Sequence, residues 1–180
     1  MTLETAEQTR ELGVRLGRLL RAGDLVVLAG ELGAGKTTFT QGIGEGLGVR
    51  GPITSPTFVI ARVHPSLVGG PELVHVDAYR IGGFDELDDL DLDASLDDAV
   101  TVVEWGHGLA EGLAEDRLEL VFTTEAEGRG DPGDDPSGDV AGAASGGSGD
   151  VPRHVVLTAT GARWTNGDGA REVEELVSLR

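Results

Sequence analysis

An α/β fold, a mostly parallel sheet with antiparallel edge strands, is what this sequence of 180 residues predicts. Three observations carry the prediction. Strand-like and helix-like stretches alternate from the N-terminus, the pattern of a sheet with helices packed on it. Two runs that alternate apolar and polar side chains follow as a strand pair, which adds an antiparallel edge. Hydrophobic residues make up 39% of the chain, enough for one core at this length, so residues 1–180 read as a single domain.

The elements follow in order. Thr5-Ala6-Glu7-Gln8 has the spacing of a capping box, and Leu12, Leu16, Leu19 and Leu20 then recur on one helical face. Gly23-Asp24 breaks that helix, and Leu25 to Ala29 reads as a buried strand. A glycine-rich turn, Gly30 to Gly35, leads into a helix from about Lys36 to Leu47 that stops at Gly48. Phe58 to Val63, Leu73 to Asp77 and the β-branched run Val100 to Glu104 are strand candidates. Arg117 to Thr123 and His154 to Thr160 form the alternating pair, and a last helix is expected from Ala170 to Leu179. Between that pair, Glu125 to Asp150 holds eight Gly, five Asp and no aromatic residue, so it is expected to be a disordered acidic insertion. Asp85 to Asp98 interleaves eight acids with Leu87, Leu90, Leu92 and Leu96, which reads as an acidic solvated face over a leucine stripe or, more sharply, as a docking surface for a basic partner.

Composition excludes several functions. With 14 basic and 32 acidic residues the formal charge is −18, and nucleic-acid grip by the chain itself would call for a basic face. There are no cysteines for disulfides, thiolate zinc or nucleophilic catalysis, and none of the four histidines sits in a metal-ligand spacing. Neither a signal peptide nor a membrane-spanning run is visible, so the expected compartment is the cytoplasm.

The chemistry centres on the one lysine of the chain, Lys36. Gly30-Glu31-Leu32-Gly33-Ala34-Gly35-Lys36-Thr37 fits the Walker A pattern G-x-x-x-x-G-K-[ST]. Its glycines allow successive backbone N–H groups to turn inward around a phosphate, and the helix that follows aims its free amides at the same anion. Lys36 would reach the β- and γ-phosphates and Thr37 would offer a hydroxyl to magnesium. The Asn-Lys-x-Asp guanine reader cannot exist once Lys36 is committed, which leaves ATP as the expected nucleotide with Mg2+ as its metal. Two acids close neighbouring strands, Asp77 and Glu104. Asp77 is assigned to the magnesium shell and Glu104 to orienting water or completing that shell, roles that can be exchanged. Ser55-Pro56-Thr57-Phe58 sits where a switch threonine would sense the γ-phosphate. Arg80 is suited either to the γ-phosphate or to pairing with acids such as Asp85. Trp105 reads as core or pocket wall, and His75 as a satisfied strand residue rather than a catalyst.

Four ordered blocks resemble one family: Gly30 to Thr38, Ser55 to Phe58, His75-Val76-Asp77-Ala78-Tyr79-Arg80, and Val103-Glu104-Trp105-Gly106. The series is similar to the TsaE (YjeE) family of bacterial ATPases of tRNA threonylcarbamoyladenosine synthesis, across about residues 2–123 and 153–180. The resemblance implies a P-loop NTPase-like three-layer fold and weak intrinsic ATPase activity. It implies TsaD and TsaB as partners, with tRNA reached only through them. By matching position it gives Lys36, Thr37 and Thr38 to phosphate and magnesium, Asp77 to the metal shell, Thr57 to the switch, and Glu104-Trp105 to the family's Glu-Trp pair. The chain departs from the family at His107, where a second acid is common, and in the length of the insertion. A small-molecule kinase and a nucleotide-gated binding module are the alternatives; sparse arginine beyond Arg80 speaks against a kinase lid.

Overall fold

A computed structural model describes residues 1–55, 61–80, 97–124 and 151–178. The first part of the Phe58 strand, nearly all of the Asp85 to Asp98 stretch, the Glu125 to Asp150 insertion, Thr57 and the side chain of Arg80 lie outside the described residues. Strands are β1 (Thr2–Leu3), β2 (Leu25–Gly30), β3 (Ala61–His64), β4 (Glu72–Asp77), β5 (Ala99–Glu104), β6 (Arg117–Thr124) and β7 (Arg153–Thr160). Helices are α1 (Ala6–Leu19), α2 (Lys36–Leu47), α3 (Ala162–Thr165) and α4 (Gly167–Ser178). The strands form one sheet in the order β1-β7-β6-β2-β5-β4-β3.

The four central strands, β6, β2, β5 and β4, run parallel, while β3 on one side and β7 with β1 on the other are antiparallel. Antiparallel strands therefore close both edges. β2 is buried on both faces, as the centre of a parallel sheet must be. Val26 and Leu28 face a core built with Leu12 and Leu16 of α1 and Phe39 and Ile43 of α2. Leu25 and Val27 face a second core with Val74, Val76 and Val103. Among the described residues, turns around Leu109 and Leu113 cover that second face rather than a helix. The third layer is thus thin where it is described. No helix among the described residues is long and apolar enough to cross a membrane.

Local chemistry explains the helix limits. Thr5 is extended and its hydroxyl accepts the Gln8 N–H at 3.1 Å. The Gln8 side chain reaches back to the Glu4 N–H at 2.6 Å, one residue earlier than a standard capping box. The N-terminus of α2 has no side-chain cap, because Gly35 with φ of 109° opens the helix instead. Its amides are therefore left for another acceptor. Gly48, at φ 69°, ends it through its N–H to the Glu45 carbonyl.

Three features depart from the sequence reading. β1 is too short to show a period, and it exists because Thr2 and Leu3 pair with His154 and Arg153. A turn of helix, α3, precedes the last helix, which begins at Gly167 rather than Ala170. The Asp116 carboxylate accepts the Arg163 N–H at 3.0 Å and starts that turn from a distant loop. Finally, His107 does meet metal-ligating groups: its ring and the Glu111 and Glu119 carboxylates bring atoms within 4.8 Å of one another. Sequence spacing could not place Glu119, which comes from β6. Those acids are already engaged, Glu111 by the Gly108 N–H at 2.6 Å and Glu119 by Arg117 at 2.8 Å.

Candidate nucleotide-binding site

At the C-terminal ends of the parallel strands, the turn between β2 and α2 borders a cavity of about 410 Å³. Leu32, Gly33, Gly35, Lys36, Thr37 and Thr38 form its floor; Asp77, Glu104 and Trp105 face it, with Ser55 and Tyr79 at the side. The turn places residues from four strand and helix ends around one point, where open α/β sheets hold their ligands. Gly33, at φ 83°, has open space where a Cβ would stand. Gly30 tolerates no side chain, since a Cβ there would meet the Phe122 carbonyl oxygen of β6 at 2.3 Å.

Lys36 is 5% exposed. Its ammonium donates to the carbonyls of Gly30 at 2.5 Å and Glu31 at 2.8 Å, and lies 3.7 Å from the centre of the Trp105 ring. Burial pushes its pKa below the ordinary 10.5, while the carboxylates of Glu104, Asp77 and Glu31 pull it back up. Trp105 reaches this position because it turns the chain at the end of β5 with φ of 61°, its N–H held by the Leu28 carbonyl at 2.8 Å. Tyr79 tilts against the indole at 5.0 Å between ring centres.

Both strand-end acids are buried, Asp77 at 5% and Glu104 at 2% exposure. They are register partners on neighbouring strands. Asp77 accepts the Ser55 hydroxyl at 2.7 Å and the Tyr79 N–H at 3.0 Å. Glu104 accepts the Thr37 hydroxyl at 3.0 Å on Oε2, and on Oε1 it meets His75 Nε2 at 2.8 Å and the Thr40 hydroxyl at 3.3 Å. A hydroxyl has one hydrogen, so Thr37 spends it on Glu104 and keeps its lone pairs for a cation. Two buried carboxyl groups against one ammonium, beside uncapped helix amides, suit a magnesium–triphosphate: hard oxygen ligands for the metal, N–H donors for the phosphates.

The structure thus brings together Gly33, Gly35, Lys36, Thr37, Thr38, Asp77, Glu104 and Trp105. Two of the loop residues predicted for the site, Glu31 and Ala34, stand apart from the cavity. The Ala34 side chain packs into the core at 2% exposure, and Glu31 contributes its backbone carbonyl to Lys36 while its side chain is exposed. Sequence reasoning missed Ser55 as the partner of Asp77, and Thr40 and Tyr79. The signal for Thr40 was its place one helical turn after Lys36, to whose carbonyl its hydroxyl donates at 3.0 Å.

Residues 3–130 match the family model described as threonylcarbamoyl adenosine biosynthesis protein TsaE. The tRNA threonylcarbamoyladenosine biosynthesis protein TsaE of Streptomyces coelicolor is 61% identical over 160 residues, covering 88% of this chain and 95% of that protein. The protein of the same description from Bacillus subtilis is 40% identical over 117 residues, 64% of this chain and 72% of the relative. The crystal structure of Bacillus subtilis YdiB superposes with a TM-score of 0.65 at 29% identity, covering 99% of this chain and 93% of the other. A match over most of the chain, ordered as the site blocks are ordered, makes this chain a member of the TsaE family, the proteins of tRNA threonylcarbamoyladenosine biosynthesis.

Proposed function

We propose that the chain binds ATP with magnesium over the Gly30 to Thr37 loop and hydrolyses it slowly in support of the threonylcarbamoyladenosine modification of tRNA. The client of that turnover is the TsaB–TsaD pair, which carries the tRNA in the cytoplasm. The fold that goes with this reading is that of P-loop NTPases. One observation supports it above the others: the Thr37 hydroxyl donates to a buried Glu104 carboxylate directly below free helix amides and beside Lys36.

On this reading, the amides of Gly33 to Thr38 and the Lys36 ammonium hold the β- and γ-phosphates. To do so Lys36 leaves the Gly30 and Glu31 carbonyls, and each of those hydrogen bonds is exchanged for one to a phosphate oxygen. Thr37 and Glu104 hold the metal, which when bound neutralises phosphate charge and polarises the γ-phosphoryl group. Asp77, its register partner on the neighbouring strand, orients the attacking water. Of the two exchangeable assignments, this reading takes the one that puts Glu104 on the metal, and the contact of Glu104 with Thr37 supports it. Trp105 and Tyr79 form the apolar wall that keeps bulk water from the phosphates.

The test is the ATP hydrolysis rate of the chain alone and with its cognate TsaB and TsaD. Slow turnover that rises with the pair and is lost in Lys36→Ala, with an unchanged circular dichroism spectrum, is the expected result. A rate indifferent to the partners removes the client. In Glu104→Ala, hydrolysis and modification should stop together; modification that persists without hydrolysis would replace turnover by gating.

A further inference from the structure

Glu104 is held from beneath by a residue the phosphate loop does not supply. His75 lies on β4 with no exposure, and its Nε2 is 2.8 Å from Glu104 Oε1. From the geometry we infer that His75 is a positioning residue for Glu104: its Nε2–H fixes one carboxylate oxygen so that the other stays on Thr37. The inference rests on the reading of Glu104 and Thr37 as the metal-holding pair.

Three features of the contact carry it. First, the competing donor is weaker. The Thr40 hydroxyl stands 3.3 Å from Oε1 but 3.0 Å from the Lys36 carbonyl, and its single hydrogen goes to the nearer acceptor. His75 is then the firm donor to Oε1, as Thr37 is to Oε2. A carboxylate bonded at both oxygens has lost rotation about its terminal bond. Second, the ring does nothing else. Its Nδ1 is buried with no hydrogen-bond partner among the described residues. The tautomer that donates from Nε2 leaves only an acceptor unpaired there, which costs less than a stranded N–H. Third, the position is built by the sheet. His75 stands opposite Val102, two residues before the strand end, so the parallel register of β4 and β5 sets its ring behind Glu104. A site residue so supported by packing and a second hydrogen bond holds its productive geometry without waiting for ligand.

Two substitutions separate positioning from space-filling. Gln at this position carries its amide nitrogen close to where Nε2 stands, whereas Leu fills the space and donates nothing. ATP affinity is measured by calorimetry in EDTA and again with saturating magnesium, for the wild-type chain, His75→Gln and His75→Leu. In EDTA all three are expected to bind alike, since the loop amides and Lys36 do that work. With magnesium, His75→Leu is expected to lose on the order of tenfold of the metal-dependent gain, the size of one charge-assisted hydrogen bond, and His75→Gln to recover most of it. If His75→Leu does not fold, His75→Asn, whose amide ends short of Glu104, takes its place. A magnesium-dependent gain unmoved in His75→Leu, or lost equally in His75→Gln, overturns the inference alone. Wild-type ATP binding that ignores magnesium overturns the metal-holding role of Glu104, and this inference with it.

Discussion

His64 shows how a single buried group sets a pH response. It is 5% exposed, its Nδ1 lies 3.0 Å from the Arg50 carbonyl, and its Nε2 has no partner among the described residues. Burial holds its pKa below the ordinary 6.5; the Arg50 carbonyl raises it, and His75 and Arg62 lower it further. A lowered folded-state value means the unfolded chain takes the proton first. Stability is therefore whole above pH 6.5 and falls as the pH drops from there towards the folded value. His64→Phe removes that step, so its urea midpoint should fall less than the wild type's between about pH 7.5 and 5.5. An equal fall in both would show that other groups carry the response. Trp105 makes a different point at the same scale. A bulky side chain at φ 61° costs about 1–3 kcal/mol, and strain of that kind persists where the surroundings enforce it. Here the enforcing contact is the Leu28 carbonyl, and the result is an indole over Lys36.

Between elements, α1 and α2 pack backbone against backbone, and glycine makes it possible. A Cβ on Gly13 would lie 2.3 Å from the Phe39 carbonyl oxygen, and one on Gly17 would lie 2.4 Å from that of Ile43. From the other side, Gly42 faces the Arg10 carbonyl at 2.1 Å and Gly46 that of Val14 at 2.3 Å. The obstacles are backbone atoms, which cannot turn aside as a side chain can. Each glycine costs its helix about 1 kcal/mol relative to alanine. Gly42→Ala should regain that and still lose net stability, because overpacking a fixed interface costs about 1–3 kcal/mol or more. Denaturant melts of Gly42→Ala test the sign; a variant more stable than wild type would mean the helices can part freely. Since α2 begins at Lys36, the same interface seats the Gly30 to Thr37 loop, and on the proposed function Gly42→Ala is expected to weaken ATP binding as well.

As a whole molecule the chain is strongly acidic, with a formal charge of −18. Long-range repulsion from the phosphate backbone then opposes any direct hold on nucleic acid. Bare tRNA is expected to show negligible affinity for the isolated chain at physiological salt in a filter-binding assay. Micromolar or tighter binding would place a basic surface where the sequence has none, and would remove the need for a partner to supply it. Arg163 helps to join the distant ends of the chain: it reaches the Leu19 carbonyl at 3.3 Å, Glu172 at 3.0 Å and Asp24 at 3.4 Å. Through it the last helices close over the loop that leads into β2. Burial raises the pKa of Asp24 above the ordinary 3.8, against the pull of the Arg21 N–H and Arg163. Burial outweighs that pull.

What the sequence by itself determined was whatever depends on neighbours along the chain. The glycine-rich loop is a run of consecutive residues, so the Gly30 to Thr37 motif could be read directly, and the strand-end acids Asp77 and Glu104 followed from the apolar runs they close. Strand and helix positions were legible for the same reason, since burial on one or two faces repeats at short periods. Tertiary structure decided the rest. That Glu104 rather than Asp77 meets Thr37 depends on β5 lying beside β2, with β4 one place further out. That His75 stands behind Glu104 depends on the register of two strands separated by nearly thirty residues. The glycines of α1 and α2 look like helix-weakening accidents until the helices are seen to touch there. Local pattern carries the free energy of neighbours in sequence; which side chains share a proton or a metal is settled only when distant segments are packed together and leave no other arrangement.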